Sequence, residues 1–275
     1  MLYICATPIG NLKDITLRAV EVLASSDIIL CEDTRISKTL LAQQNIKVNR
    51  LVALHEHNEN EVAAKVITWL TEGLTITQIS DAGTPGVSDP GSRLCNKVRE
   101  HGFKISPLPG ACAYISLLSV AGLNCSSLFY GFLPSNSSGR KKILTSWQTT
   151  DYAICIYEAP HRIVECVKDI ILCLGDERDI VMGRELTKKF ETITKNNARQ
   201  LLEFIEANSN QQRGEFVLII CPSKVNTSQE CLSPEQINTL KLLVPELPPK
   251  KAVLLTHKLV GGDKDLLYNY AISLK

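Results

Sequence analysis

The chain has 275 residues, 44% of them apolar and 21% charged, the balance of a soluble globular protein of one to two domains. Lys and Arg number 30 against 29 acids, a formal charge of +1, which excludes a uniformly basic coat and leaves room only for a local nucleic-acid patch. No apolar run reaches the ~18 residues of a membrane span. The opening MLYICATPIG lacks the basic leader and long apolar core of a signal peptide, so a cytoplasmic chain without a membrane partner is expected.

Residues 2–6 (LYICA) read as a buried strand, followed by the loop TPIGNL and a helix over about 15–25. In that helix Leu17, Val20, Leu23 and Ala24 share one face. Residues 27–31 are strand-like again, and EDTR (32–35) opens another helix. A third strand is expected at 51–54 and a helix at 59–72, with Asn58 as N-cap and Gly73 past its end. A fourth strand covers 74–80, a helix is expected to start at Pro90, and a strand at 103–106 runs into PLPG and an apolar helix to about 122. Strands alternating with helices of this length imply a mostly parallel sheet with helices on its faces. TPIG, EDTR, SDAGTP and PLPG all fall at C-terminal strand ends, the edge where open α/β sheets bind ligands. Gly and Pro there punctuate turns, but four such loops on one edge favour a ligand crevice.

A boundary is expected near 123–128, followed by a strand at 128–133 and a mobile, basic segment SNSSGRKK at 135–142. Strands at 153–158, 179–183, 190–194 and 215–220 carry fewer helices between them, which predicts a mixed sheet. Residues 222–231 suit a linker, and from 233 the chain turns helical, with Leu240, Leu243 and Val244 on one face. This tail holds six Lys against four acids, and its two or three short helices resemble a small nucleic-acid-binding module.

Several chemistries lack their signatures. No GxGxxG follows a strand and no GxxxxGK[ST] exists, which weakens dinucleotide and P-loop readings. Ser80 and Asp81 have no GxSxG elbow around them. The ten cysteines form no CxxC pair, and Cys5, Cys31 and Cys155 sit in apolar strand-like runs, so reduced packing thiols are expected. His55-Glu56-His57 has no third ligand spaced nearby, and no metal site is expected. Composition and spacing alone stop at a two-domain α/β ligand-binding protein.

The ordered set TPIGNL (7–12), EDTR (32–35), SDAGTPGVSDPG (80–91), PLPG (107–110), YEAPHR (157–162), RELTK (184–188) and RGEFVLI (213–219) carries more. It resembles the tetrapyrrole-methylase superfamily and, within it, the ribosomal RNA small subunit methyltransferase I family, over almost the whole chain. The resemblance implies two α/β domains, at 1–122 and 123–222, with the cofactor cleft between them, plus a helical RNA-binding-like module at 233–275. It implies S-adenosylmethionine as cofactor, methylation of the ribose 2′-oxygen of a cytidine in the decoding centre of 16S ribosomal RNA, and a homodimer that binds the small ribosomal subunit and no DNA. Carried over by motif, the cofactor residues are Ile9, Gly10, Asp81, Gly83, Thr84, Pro85, Gly110, Ala111, Cys112, Tyr157, Glu158, Leu186, Gly214, Glu215 and Phe216.

A ribose hydroxyl is a poor acid, so a carboxylate near the transferring oxygen would help remove its proton. Glu32, Asp33, Glu158 and Glu185 all follow predicted strands and are the candidates. Arg35, Arg162, Arg184 and Lys188 are candidates for RNA phosphates, as are Arg140, Lys141 and Lys142 in SNSSGRKK and Lys250, Lys251 and Lys258 in the tail. The alternative for each is neutralisation in salt bridges between the domains. Two other functions stay open: C-methylation of a corrin or sirohaem precursor, and a non-catalytic RNA-binding ribosome-assembly factor. EDTR, YEAPHR and RELTK argue against the first, and the intact SDAGTP loop against the second.

Overall fold

Short, continuously apolar runs build the first sheet. A computed structural model describes residues 1–47, 49–223 and 232–274, so residues 224–231 of the expected linker lie outside the described residues. In chain order the first half forms β1 (Leu2–Cys5), α1 (Leu17–Ser25), β2 (Ile28–Cys31), α2 (Thr34–Gln43), β3 (Leu51–Ala53), α3 (Glu59–Thr71), β4 (Ile76–Ile79), α4 (Ser92–Glu100), β5 (Ile105–Leu108) and α5 (Ala113–Val120). The sheet order is β3-β2-β4-β1-β5, with every pairing parallel. β2 and β4 are buried along their whole length, as strands covered by helices on both faces must be. Because all five run the same way, the loops after β1, β2, β4 and β5 emerge at one edge.

The helix expected at Pro90 starts at Ser92, for a reason outside its own sequence. Gly91, at φ +136°, and Leu94 donate their amides to the buried Glu59 carboxylate on α3, at 3.0 and 3.1 Å. Gln78 Nε2 donates to the Pro90 carbonyl at 2.7 Å and holds that residue outside the helix. Asn58 stands at the N-cap of α3, but its side chain accepts from the His55 amide and donates to the Ala53 carbonyl instead.

The second sheet follows, with β6 (Ser127–Phe132), α6 (Ser137–Thr145), β7 (Ala153–Glu158), α7 (Ile163–Leu174), β8 (Asp179–Arg184), β9 (Thr192–Asn197), α8 (Ala198–Glu206) and β10 (Phe216–Ile220). Its order is β6-β7-β10-β8-β9; β6 runs parallel to β7 and the remaining pairs are antiparallel, so the sheet is mixed as expected. The strand expected at 190–194 lies at Thr192–Asn197, because a tight turn through RELTK delays it. Helix α8 went unanticipated; Asn197 and Gln200 close a capping box on it, and Ala198, Leu201, Leu202 and Ile205 face the core.

The segment 135–142 corrects a further expectation. It is the start of α6, with Asn136 Oδ1 accepting from the Gly139 amide at 2.7 Å. Arg140 is buried, 3% exposed, and donates through Nε to Asp169 Oδ2 on α7 at 2.7 Å. Ser137 Oγ donates to the same carboxylate, and Lys141 Nζ lies 3.4 Å from Oδ1. Arg140 is therefore an internal cation whose charge is met by Asp169. Lys142 alone of the three basic residues stays exposed without a carboxylate partner among the described residues.

Met1–Ser223 holds both sheets as one compact unit. The division expected at 122 falls between α5 and β6, yet Leu117 of α5 and its C-cap Ala121 pack in one cluster with Cys155 and Val181 of the second sheet. The tail is a second unit with its own core. It forms α9 (Pro234–Leu243), α10 (Pro249–Val260) and α11 (Lys264–Ser273) around Leu240, Val244, Ala252, Val253, Leu267 and Ala271. Lys250, Lys251 and Lys258 are exposed on α10.

The nine cysteines among the described residues are free, and five of them are buried. Burial pushes the Cys5 thiol up to about 12, which keeps it protonated and inert. No helix among the described residues is long and apolar enough to cross a membrane.

Candidate active site

Main-chain bonds tie the loops at the sheet edge together. Thr7 and Gly83 exchange both backbone hydrogen bonds, at 2.8 and 3.0 Å, so the TPIG and SDAGTP loops form a two-residue bridge. Gly83 sits at φ +82°, a conformation other residues adopt only with strain. Thr7 Oγ1 donates to the Ser80 carbonyl at 3.0 Å, and Thr84 Oγ1 to the Ala111 carbonyl at 2.9 Å, which brings in the loop after β5. At Gly110 an added Cβ would stand 2.8 Å from the Ala6 Cβ, so these loops lie back to back.

Between the two sheets this edge encloses a cavity of about 400 Å³. Ile9, Asp81, Gly83, Thr84 and Cys112 line it from the first sheet, and Tyr157, Glu158, Leu186, Glu215 and Phe216 from the second, all of them among the expected cofactor residues. Gly10, Pro85, Gly110, Ala111 and Gly214 do not line it, though Gly10, Gly110, Ala111 and Gly214 make the close contacts that hold the lining loops. A Cβ at Gly10 would run into Lys188 and stand 2.9 Å from Thr187 Oγ1, so only glycine lets the RELTK loop close on TPIG. Asn11 N then donates to Thr187 Oγ1 at 3.1 Å. Gly214, at φ +92°, lies against the Glu185 side chain.

Sequence reasoning missed Asp89, Phe132 and Val217 in the walls. Asp89 belongs to the same SDAGTPGVSDPG run as Asp81, and a second acid in one loop was the available signal. Burial first, then the Glu32 and Asp81 carboxylates, push Asp89 up to about 6, against the opposing Ser80 hydroxyl. Glu32 is also raised, by burial and then by Asp81. Asp81 and Asp89 line the cavity and Glu32 is near enough to raise Asp89, so negative charge gathers on the first-sheet side, a field that favours a cation.

The other candidate carboxylates are committed elsewhere. β7 alternates, with Ala153, Cys155 and Tyr157 toward α5, and Ile154 and Ile156 in the core on the opposite face. Glu158 follows the second set. Its Oε1 accepts from the Ala159 amide and from Arg162 Nε, each at 2.7 Å, and its Oε2 is buried without a partner. Asp33 caps α2 and pairs with Arg35, whose hydrogen bonds hold the carboxyl well below its usual range. Glu185 accepts from Lys188 Nζ at 2.8 Å and the Glu215 amide at 3.0 Å; burial raises it, but these partners outweigh burial and lower it.

The same contacts engage several of the expected phosphate-binding residues within the chain. Arg162 is spent on Glu158, and Lys188 bridges Glu185 and Glu215. Arg184 is buried and donates to the Arg213, Phe190 and Asn210 carbonyls. Arg35 is exposed but engaged with Asp33.

Residues 1–202 match the Tetrapyrrole (Corrin/Porphyrin) Methylases, and residues 231–275 match the RsmI C-terminal HTH domain. The chain is 43% identical over 275 residues to ribosomal RNA small subunit methyltransferase I of Neisseria meningitidis serogroup B, covering 100% of this chain and 94% of that protein. It belongs to that family. The member from Escherichia coli O157:H7 is 44% identical over 272 residues, covering 98% of this chain and 94% of its own. Among solved structures the fold is similar to diphthine synthase, with TM-score 0.60 and 15% identity over 80% of this chain and 89% of that one. It is also similar to the methyltransferase CobJ, with TM-score 0.59 and 18% identity over 80% of this chain and 93% of that one. The family's two-sheet architecture and C-terminal helical region are those described above.

Proposed function

We propose that the chain uses S-adenosylmethionine to methylate the ribose 2′-oxygen of a cytidine in the decoding centre of 16S ribosomal RNA. It does so as a cytoplasmic homodimer acting on the small subunit. The observation that carries this reading is the cavity: apolar walls beside a cluster of acids, at the edge where all the motif loops meet. Bound there, S-adenosylmethionine supplies a methyl group activated by a positive sulfur. Its cationic groups suit the field of Asp81, Asp89 and Glu32, and its adenine suits the apolar surface of Ile9, Leu186 and Val217. Glu158, Asp33 and Glu185 are each paired with a cation, so Glu32, which has no ion-pair partner among the described residues, is our candidate to take the ribose proton. The protein's main task is to hold the acceptor oxygen in line and about 3 Å from the methyl carbon. Transfer of labelled methyl groups to purified small subunits and to naked 16S RNA, with mass spectrometry locating the methyl, tests the reading. A uroporphyrinogen control that accepts methyl while RNA does not would sink it.

Two variants and one titration probe its parts. Gly83→Val forces a branched side chain onto φ +82°, with Ile9 Cγ2 only 3.4 Å from the new Cβ. It should weaken S-adenosylmethionine binding at least ~10-fold by calorimetry, about 1.4 kcal/mol. Asp89 takes up a proton as pH falls through about 6, and the cavity then loses a negative charge. Affinity for the cationic cofactor should be highest above that point and fall roughly tenfold between pH 7 and pH 5; a flat profile in the wild type would separate Asp89 from the cofactor. In the tail, Lys250→Ala with Lys251→Ala should weaken RNA binding and flatten its salt dependence by about one to one and a half units, at roughly 0.7 per contact. Coincident salt slopes would make this lysine face merely solvated.

A further inference from the structure

Beside the cofactor cavity lies a second concavity of about 620 Å³ that no step above uses, lined in part by Arg184, Phe190, Asn210, Gln211 and Arg213. The two are contiguous along the chain: Glu185 and Gly214 line this one, while Leu186 and Glu215 line the other. Phe190 is 66% exposed, more than any other Phe, Tyr or Trp among the described residues. A single exposed apolar side chain is ordinary; this one is set apart by how firmly it is mounted. Arg184 donates to its carbonyl at 3.2 Å, the Glu191 amide donates to the Lys188 carbonyl at 3.1 Å, and Glu191 Oε2 accepts from the Thr187 amide at 2.6 Å. Glu185 and Thr187, at φ 51° and 66°, carry backbone strain just ahead of it.

The charges around the ring are asymmetric. Glu185 and Glu215 are occupied by Lys188, and Glu191 by the Thr187 amide. Lys189 and Arg213 are exposed and have no carboxylate within ion-pair distance among the described residues. The Lys189 ammonium lies 5.5 Å from the Phe190 ring centroid. An exposed aromatic ring on a tied backbone, with cations beside it that no carboxylate neutralises, is what an unstacked base and its phosphates require. Asn210 and Gln211 add side-chain amides, which can both donate to and accept from a base edge.

We propose that Phe190, with Lys189 and Arg213, is a stacking platform for an unpaired nucleotide flanking the ribose to be methylated. This rests on the RNA reading above. Stacking on one side chain is worth ~5-fold or more in affinity when it is removed. Binding of a fluorescein-labelled decoding-region RNA to the full chain, followed by anisotropy, should weaken at least ~5-fold in Phe190→Ala. Phe190→Trp should bind as the wild type does, and calorimetry should show S-adenosylmethionine affinity unchanged in both. Ultraviolet cross-linking of the wild type to the same RNA should yield a nucleotide adduct on the peptide bearing Phe190. Wild-type RNA affinity in Phe190→Ala overturns the platform and leaves the function intact. If sedimentation shows that this variant changes oligomeric state at unchanged RNA affinity, the face belongs to a protein contact and the platform is again overturned. A wild type that neither binds nor methylates the RNA overturns the functional reading and the platform together.

Discussion

Glu32→Gln is expected to slow RNA methylation by about 100-fold at neutral pH, the contribution of a positioned proton acceptor. The amide keeps the size of the side chain and removes its basicity. Glu32 stands just past β2, with its pKa raised by burial and by Asp81, so its carboxylate is a stronger base than a free one. A raised pKa also sets the direction of the pH effect: activity should fall as pH drops and Glu32 takes up a proton before substrate arrives. In the variant, at saturating S-adenosylmethionine so that the Asp89 effect on cofactor binding drops out, that acid limb should vanish. Single-turnover transfer of labelled methyl across a pH series reads both effects, and calorimetry checks that the cofactor still binds. An unaltered rate would remove Glu32 as the proton acceptor.

Arg140→Ala should destabilise the protein by about 3 kcal/mol while leaving RNA affinity as it was. The side chains of Arg140 and Asp169 are 4% and 9% exposed, so removing the cation leaves a buried carboxylate with only the Ser137 hydroxyl and the more distant Lys141 ammonium. Replacing both, with Arg140→Met and Asp169→Leu, should restore much of the loss, because an apolar pair needs no compensation. Urea unfolding measures the stabilities, and anisotropy with the labelled RNA measures the affinity. Weaker RNA binding at unchanged stability would put Arg140 back on the surface.

Arg140 also marks the limit of what the sequence discloses. A basic, serine-rich stretch looks solvated until Asp169, 29 residues later, is known to lie against it. The start of α4 has the same character, since its cap comes from Glu59 on another helix. Local patterns fared better: β2 and β4 were readable as unbroken apolar runs, and their Gly- and Pro-bearing loops as one ligand-facing edge. Some signals were present and went unused. Ile154 and Ile156 already put Glu158 on the core face of its strand by alternation, and Asn197 with Gln200 announces α8. The commitment of Arg162, Arg184 and Lys188 to internal partners could not be read, because charge is visible in a sequence and pairing across a turn is not.

The bridge between Thr7 and Gly83 bears on the calorimetry of the cofactor itself. Both of its bonds are made by main-chain atoms, so the crevice floor is ordered whichever side chains surround it. A ligand that arrives there has no loop to fold. The heat-capacity change on binding should therefore scale with the apolar area of the ligand alone, without the large negative excess that accompanies coupled folding.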